Sequence, residues 1–279
     1  MLRGIEYHHQ VIMGFQQFLA AHPVFTHDEV VAFLEKEKPS SAKTRESLLA
    51  YHRKRGRILR VRRGLYCTVP PGATPDTCPV DGYLLAAKMT DDAALAYHTA
   101  LEFHGKAYSV FEEIQYLTDH AVRPVSFRSL RFRPVRFPRK LVVEGQQHFA
   151  VKTMDRAGVP VRVTGLERTL VDVLDRPDLG GGWEEIWRSL ETVEYFDLEV
   201  VVEYALLLEN ATTAAKVGFF LEQHQETLMV EATHLDPLRA RRPRQPHYLA
   251  RNRRGGRLDG GWNLVVPPEI HERSWRAVT

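Results

Sequence analysis

The chain has little cysteine and no long apolar run. Cys67 and Cys78 are the only cysteines among 279 residues, and no further Cys or His lies near them at zinc-ligand spacing. A disulfide framework or a structural zinc therefore does not fit, whereas a reducing compartment does. No stretch approaches the roughly 18 apolar residues of a membrane span, and the N-terminus lacks the apolar core of a signal peptide. We expect a cytoplasmic protein with no membrane partner.

Catalytic motifs are also missing. The sequence contains no Gly-x-Ser-x-Gly, Walker A or His-Glu-x-x-His motif. Three glycines at 180–182 precede a predicted helix, but no strand leads into them and no lysine follows, which favours a plain turn over a phosphate loop. Arg168 and Asp172, four residues apart on a predicted helix, are explained by an ion pair. We expect no enzyme activity, no catalytic residue, no cofactor and no bound metal.

Basic residues, in contrast, are concentrated in three runs. The formal net charge is only +3, but residues 43–63 hold nine basic residues and one acidic residue, Glu46. Residues 123–140 hold seven basic residues and 239–257 hold eight arginines, and neither run contains an acid. This segregation indicates at least one surface that faces a polyanion, although each run alone could be a solvated face.

The N-terminal part is predicted to be three helices followed by a hairpin. The third helix, residues 42–55, follows the N-cap hydroxyls of Ser40 and Ser41 and stops at Gly56. Two short strands then flank a turn at residues 62–64. This order of elements is typical of a winged helix-turn-helix, which we assign to residues 1–69.

The third helix and the hairpin tip are both cationic. On a helical wheel Leu48, Leu49 and His52 point inward, so the basic face points outward and suits the major groove. The helix candidates for contacts to base edges and phosphates are Lys43, Thr44, Ser47, Tyr51, Arg53 and Lys54. The wing candidates are Arg57, Arg60, Arg62 and Arg63. A winged helix used for protein contacts remains the alternative.

The remainder is predicted to be a mixed α/β domain, so the chain as a whole is α+β. A proline-rich linker at 70–79 precedes this domain, residues 80–279, with a sub-boundary near 164. Helices are expected at 82–89, 93–103 and 166–174, the last with a Thr164/Glu167 capping box, and strands at 113–118, 126–133 and 160–163. Asp197 and Thr212 or Thr213 are expected N-caps of later helices.

Two basic segments in this domain have open roles. The 126–133 strand and its continuation offer a candidate second basic surface, formed by Arg128, Arg131, Arg133 and Arg136. A solvated or aggregation-resistant sheet edge explains these arginines equally well. Residues 239–257, which include Pro243 and Pro246, are expected to be a mobile basic loop.

Four segments together resemble the AbiEi family, the antitoxins and transcriptional regulators of type IV toxin–antitoxin (abortive infection) systems. The segments are Arg-Val-Arg-Arg-Gly-Leu-Tyr at 60–66, Ala-Tyr-His-Thr-Ala-Leu-Glu-Phe-His-Gly at 96–105, Thr-Gly-Leu-Glu-Arg-Thr-Leu-Val-Asp at 164–172 and Trp-Asn-Leu-Val-Val-Pro at 262–267. They occur in the family's order over most of the chain. The arginine-rich segment 239–257 departs from the pattern.

The resemblance implies a two-part protein of phage defence. Its winged helix would bind double-stranded repeats in the promoter of its own operon and repress transcription. Its C-terminal, antitoxin-like domain would counter a toxin that resembles nucleotidyltransferases, without a required stable complex. The chain has no Gly-Ser dipeptide, so it resembles the antitoxin and not the toxin. The alternatives are a transcription factor with an effector-binding C-terminal domain and no toxin partner, and a DNA-directed enzyme such as a nuclease.

Overall fold

A computed structural model describes residues 14–37, 41–250 and 255–271. The N-terminal part begins with helix α1 (residues 14–21), strand β1 (Val24–Thr26), helix α2 (His27–Glu37) and helix α3 (Ala42–Lys54). Strands β2 (Ile58–Arg62) and β3 (Leu65–Thr68) form the expected hairpin. Strand β1 pairs with β3, which makes a sheet of order β1-β3-β2. The sequence does not predict β1, because three residues become a strand only through pairing with a distant segment.

Local hydrogen bonds fix where α2 and α3 begin. The Thr26 N–H donates to Glu29 Oε2 at 2.7 Å, and the Glu29 N–H donates to Thr26 Oγ1 at 3.3 Å. This reciprocal pair is a capping box. Ser41 is the N-cap of α3, since its Oγ accepts from the Thr44 N–H at 3.1 Å. The start of α3 agrees with the sequence-based expectation.

A mixed six-stranded sheet forms the centre of the remaining chain. Its strands are β4 (Ala94–Leu95), β5 (Glu113–Thr118), β6 (Val125–Phe127), β7 (Leu130–Arg136), β8 (Val151–Arg156) and β9 (Val159–Thr164). The order is β6-β7-β5-β4-β9-β8. The β5–β7 and β4–β9 pairs are parallel, and the other pairs are antiparallel.

Helices surround this sheet. They are α4 (Gly82–Ala87), α5 (His98–Phe103), α6 (Arg139–Val143), α7 (Leu166–Asp175), α8 (Trp183–Glu191), α9 (Leu198–Leu207), α10 (Ala211–Gln223), α11 (Ala232–Arg241) and α12 (Pro268–His271). A 3-10 turn, Pro177–Leu179, separates α7 from α8. The fold class is therefore α+β. Within the described ranges, no helix is long and apolar enough to cross a membrane.

A second small sheet lies near the C-terminal end. Its strands are β10 (His247–Tyr248), β11 (Arg257–Asp259) and β12 (Leu264–Val266), in the order β10-β12-β11. Trp262, which precedes β12, is fully buried, and its Nε1 donates to Glu222 Oε2 at 2.7 Å. The indole six-membered ring lies directly on Gly218 of α10, where a Cβ atom would come within 2.1 Å of it.

We expect Gly218→Ala to lower the free energy of unfolding by about 1–3 kcal/mol, because the added methyl overpacks the buried indole. At an exposed helix position the same change would stabilise the helix by about 1 kcal/mol. Urea denaturation measures the difference. The loss of stability caused by Gly218→Ala should be smaller when the alanine is introduced into a Trp262→Leu protein than when it is introduced into the wild type. A Gly218→Ala protein more stable than the wild type would contradict this packing.

Two predicted elements differ from the structure because their sequences fit more than one element. Residues 93–103 are not one helix. Leu95 pairs with Tyr116 and Val163 at the centre of the sheet, and α5 starts only at His98. The predicted strand 126–133 is a hairpin of β6 and β7 that turns at Arg128, whose φ is 56°. Apolar runs and alternating patterns do not show where the chain reverses.

Two predicted caps are also wrong. Thr164 does not cap α7, because its hydroxyl lies 2.8 Å from Thr169 Oγ1 and the N-cap is Gly165. The N-cap of α10 is Asn210 instead of Thr212 or Thr213. The predicted cap Asp197 is confirmed, since its carboxylate accepts from the Val200 N–H at 3.2 Å.

The segment 239–257 is not wholly a loop. Helix α11 extends to Arg241, and Arg239 pairs with Glu222 at 2.7 Å. The guanidinium of Arg239 also lies 5.0 Å from the ring centroid of Trp262. Residues 251–254 of the predicted loop lie outside the described residues.

The hairpin contributes to two hydrophobic clusters. One side of it joins α1, α2 and α3 through Phe15, Phe25, Leu49 and Ile58. The other side, represented by Val61, Leu65 and Cys67, shares a cluster with α4 and the six-stranded sheet. The described N-terminal elements are therefore packed against the α/β part by apolar contacts.

Candidate nucleic-acid interface

Helix α3 has one exposed cationic face. Lys43, Thr44, Ser47, Arg53 and Lys54 are all exposed, as the helical wheel predicts. The Thr44 hydroxyl lies 2.9 Å from Ser41 Oγ, so it also takes part in the N-cap. The face therefore carries three positive charges beside two small hydroxyl side chains.

The opposite face of α3 is anchored in the core. Leu49 is buried, and His52 is fully buried with its ring centroid 4.8 Å from that of Phe15. Burial, with a smaller contribution from Arg57, lowers the pKa of His52 to about 4, so the imidazole is neutral at physiological pH. Neither ring nitrogen has a hydrogen-bond partner among the residues that the structure describes. This anchoring sets which side chains of α3 face solvent.

Tyr51 lies at the edge of the exposed face. Its ring is 39% exposed, and the Arg55 guanidinium lies 5.1 Å from the ring centroid. A cation stacked on an aromatic ring keeps its charge while losing conformational freedom. Arg55, which the sequence analysis did not select, therefore adds a positive charge beside Tyr51.

A groove lies between α3 and the hairpin. It has a volume of about 620 Å³ and is lined by Arg53 of α3 and by Arg60 and Arg63 of the hairpin. Asp28 and Glu46 also line it. Gly64, with a φ of 78°, makes the tight turn that exposes Arg63 beside it. The structure thus brings the helix and hairpin cations to one surface.

Arg62 and Arg57 are less exposed than the sequence analysis expects for side chains that contact DNA. Arg62 is half-buried and donates to the Met89 carbonyl, which follows α4. Lys88 next to it pairs with Glu29 of α2. Arg57 is also half-buried. Arg62 therefore ties the hairpin tip to the α/β part, and Arg63 is the exposed cation of the tip.

The candidate second basic surface is largely occupied by internal contacts. Arg128 donates to the carbonyls of Pro75 and Cys78, which fastens the 70–79 segment to the β6–β7 turn. Arg133 pairs with Glu113 at 3.0 Å, and Arg131 lies 3.7 Å from the same carboxylate. Arg136 is exposed and forms no ion pair with any described residue. These contacts favour a structural role for Arg128 and Arg133.

Two buried polar clusters lie in the α/β part, and the sequence analysis missed one of them entirely. In one, His98 Nδ1 lies 3.0 Å from Glu102 and its Nε2 lies 2.9 Å from Glu185 Oε1. The ring of Phe111 stacks on His98 at 3.8 Å between centroids. The four-residue spacing of His98 and Glu102 could have suggested a pair on one helix, but no sequence signal points to Glu185. The cluster joins α5 to α8.

The other cluster is built on the predicted Arg168–Asp172 pair. Both side chains are buried on α7, with Arg168 Nε 3.3 Å from Asp172 Oδ2. Tyr204 of α9 donates its hydroxyl to Asp172 Oδ1 at 2.6 Å. Burial raises the pKa of Asp172 despite these two partners. The pair was expected, but its burial and the Tyr204 contact were not.

One group in the described chain has the composition of a metal site. Ligand atoms of Asp91, Asp92 and His120 lie within 4.8 Å of one another. The Asp92 carboxylate already accepts from the Thr118 hydroxyl and the Asp119 N–H, both at 2.6 Å. His120 Nε2 lies 2.6 Å from Asp91 Oδ1. Internal hydrogen bonds therefore account for this exposed group.

Comparison with known proteins identifies a shared fold. No protein-family model and no curated protein matches the chain. The crystal structure of the RV2827C protein from Mycobacterium tuberculosis is similar, with a TM-score of 0.59 and 18% sequence identity. The match covers 92% of this chain and 90% of that one. At this identity the likeness shows that the two chains share a fold over nearly their whole length.

Proposed function

We propose that this chain is a DNA-binding transcriptional regulator whose residues 1–69 form a winged helix-turn-helix. The observation that carries the proposal is the groove where Arg53 of α3 meets Arg60 and Arg63 of the hairpin. Helix α3 presents a narrow, cationic face suited to a major groove, and a hairpin beside it suits the sugar–phosphate backbone or the minor groove.

In this proposal the cations have two roles. Lys43, Thr44 and Ser47 lie at the N-terminal end of α3, where recognition helices contact base edges. Arg53, Lys54 and the exposed hairpin arginines contact phosphates, which position a protein without specifying sequence. Arg62 is assigned to the Met89 carbonyl instead of to DNA.

The wider proposal is an autorepressor and antitoxin of a type IV toxin–antitoxin system. It rests on the resemblance of four segments to the AbiEi family. The DNA partner is then the repeats in the chain's own promoter. Residues 80–279 counter a nucleotidyltransferase-like toxin, in the cytoplasm and without a required stable complex.

A footprint of the purified protein on DNA upstream of its own gene tests the DNA-binding proposal. A protected pair of repeats at physiological salt is the expected result. Weak, salt-sensitive binding to any DNA, with no protected site, would contradict it.

The salt dependence of binding tests the role of α3. In Arg53→Ala/Lys54→Ala, each lost phosphate contact lowers the slope of log K against log salt by about one unit, so we expect a drop of up to about two units. Fluorescence anisotropy with the footprinted DNA at several salt concentrations measures the slope.

The matched control is Arg241→Ala/Arg244→Ala, which removes the same net charge at exposed positions distant in sequence from α3. Its slope should equal that of the wild type. Equal slopes for the wild type and the α3 variant would overturn the assignment of this helix. Equal losses in both double variants would mean that binding depends on net charge alone.

The alternative function is a transcription factor with an effector-binding C-terminal part and no toxin partner. A large cleft in the α/β part, described below, favours it. Co-expression with the product of an adjacent nucleotidyltransferase-like gene discriminates the two functions. Relief of toxicity by this chain supports the antitoxin, and the absence of such a gene supports the alternative.

A further inference from the structure

A large cleft opens in the α/β part, away from α3. It has a volume of about 1360 Å³. Its walls are the end of α7 with the following 3-10 turn, the start of α8, and residues 246–250, which include β10. Small-molecule sites in proteins are concave and commonly occupy several hundred Å³, so a ligand of metabolite size fits.

Three aromatic residues from separate elements line this cleft. Phe111 comes from the loop before β5, Trp183 from the first turn of α8 and Tyr248 from β10. Phe111 is held in place by its stacking on the buried His98. Planar rings from separate elements offer stacking surfaces for a planar ligand.

Two cations in the cleft have no carboxylate ion pair within the described chain. Lys216 of α10 is only 8% exposed, and its Nζ donates to the carbonyls of Leu174 and Asp175 at 3.1 and 3.4 Å. The Arg176 guanidinium lies 5.9 Å from the Tyr97 ring centroid and hydrogen-bonds to no described residue. Burial lowers the pKa of Lys216, so a bound anion would stabilise its charged form.

The two acids that line the cleft are engaged elsewhere. The Asp175 carboxylate accepts from the Thr213 hydroxyl and from Asn210. The Asp178 carboxylate lies 3.9 Å from Arg133. Neither acid forms an ion pair with Lys216 or Arg176.

The start of α8 adds backbone donors to the same cleft. Its N-cap is Gly182, which has a φ of 95° and no side chain to accept from the first N–H groups of the helix, and no side-chain cap is formed within the described residues. Gly181 beside it has a φ of 84°, and a Cβ there would come within 2.8 Å of Phe111. The turn therefore requires glycine and brings backbone close to the aromatic wall.

We propose that this cleft binds a nucleoside phosphate. The phosphate lies at the start of α8, within reach of Lys216 and Arg176, and the base stacks on the aromatic wall. A ligand with a planar ring and a multiply charged anion can stack on the aromatic residues of the cleft and bind its two cations at the same time. The inference does not rest on DNA binding by α3.

Isothermal titration of the full chain with AMP, ATP, adenosine and inorganic phosphate tests the proposal. We expect AMP or ATP to bind, with adenosine and phosphate each at least about tenfold weaker, because each offers only half of the contacts. Arg176→Ala and Tyr248→Ala should each weaken nucleotide binding about tenfold. Arg136→Ala, an exposed arginine on β7 outside the cleft lining, should leave it unchanged.

Several results would overturn the proposal. No binding of AMP, ATP or the guanine, cytosine and uracil nucleotides at millimolar concentration rejects the ligand class. Phosphate or adenosine binding as tightly as AMP rejects the two-part recognition. Unchanged affinity in Arg176→Ala and Tyr248→Ala, both folded by circular dichroism, rejects the location. A positive footprint with no nucleotide binding would reject this inference and leave the DNA-binding proposal intact.

Discussion

Replacement of Arg168 with alanine should lower the free energy of unfolding by about 3–5 kcal/mol, because it leaves the buried Asp172 carboxylate without its cation. Arg168 is completely buried, and its Nη1 also donates to the carbonyls of Gln147 and Phe149 at 2.8 and 2.7 Å. These carbonyls lose a donor in the variant. Chemical denaturation at pH 8 measures the loss.

The loss of stability caused by Arg168→Ala should be smaller at acid pH. Burial already raises the pKa of Asp172, and removal of the cation raises it further. The folded state then binds more protons than the unfolded state, so its stability increases as the pH falls through the raised pKa. The difference between variant and wild type should be smaller at pH 5 than at pH 8.

A more exposed pair with the same spacing provides the control. Arg188 and Glu184 are also four residues apart, at 3.0 Å, but their side chains are 22% and 58% exposed. We expect Arg188→Ala to cost less than about 1 kcal/mol, since water screens such pairs. Similar losses for Arg168→Ala and Arg188→Ala would contradict a special role for the buried network.

The second large effect is acid destabilisation through His52. The folded-state pKa of about 4 lies below the ordinary value of 6.5, so the unfolded state binds the proton first as the pH falls. Stability is lost between pH 6.5 and 4, by about 3 kcal/mol in total. The neutral, buried imidazole is the cause.

His52→Leu should remove this dependence. The leucine eliminates two buried nitrogens for which the described part of the chain offers no hydrogen-bond partner, so the variant should be more stable than the wild type even at pH 8. The difference in the free energy of unfolding between His52→Leu and the wild type should be larger by about 2 kcal/mol at pH 5 than at pH 8. Denaturation curves of both proteins at the two pH values measure this change, and a constant advantage would show that His52 does not titrate between them.

Sequence patterns predicted those elements whose determinants are local. The outward face of α3 follows from helical spacing, and the hairpin follows from two apolar segments around Gly64. In contrast, β1 and β4 are strands only because β3, β5 and β9 pair with them. Residues 93–103 are apolar enough to form a helix or a strand, so contacts with distant segments determine which residues form β4 and which form α5.

The same distinction holds for the candidate sites. The exposure of Lys43, Ser47 and Lys54 was predictable from α3 alone. The partner of Arg62 is 27 residues away and those of Arg128 are about 50 residues away, so no local pattern identified them as internal contacts. The cleft proposed to bind a nucleotide combines separate segments of the chain. They include the glycine turn at 180–182 and part of the basic segment 239–257, which the sequence patterns indicated to be a plain turn and a mobile loop.

The apolar contact between the hairpin and the six-stranded sheet has a consequence for how the proposed regulator would be arranged on an operator. Val61, Leu65 and Cys67 are covered by the α/β part, so a fragment cut between residues 70 and 79 would expose them to water. The helices and hairpin of the proposed DNA-binding part are thus held against the α/β part by this contact and are not joined to it by a flexible linker alone. If two molecules bind neighbouring repeats, both α/β parts have to fit side by side, and their size would set the minimum distance between repeats.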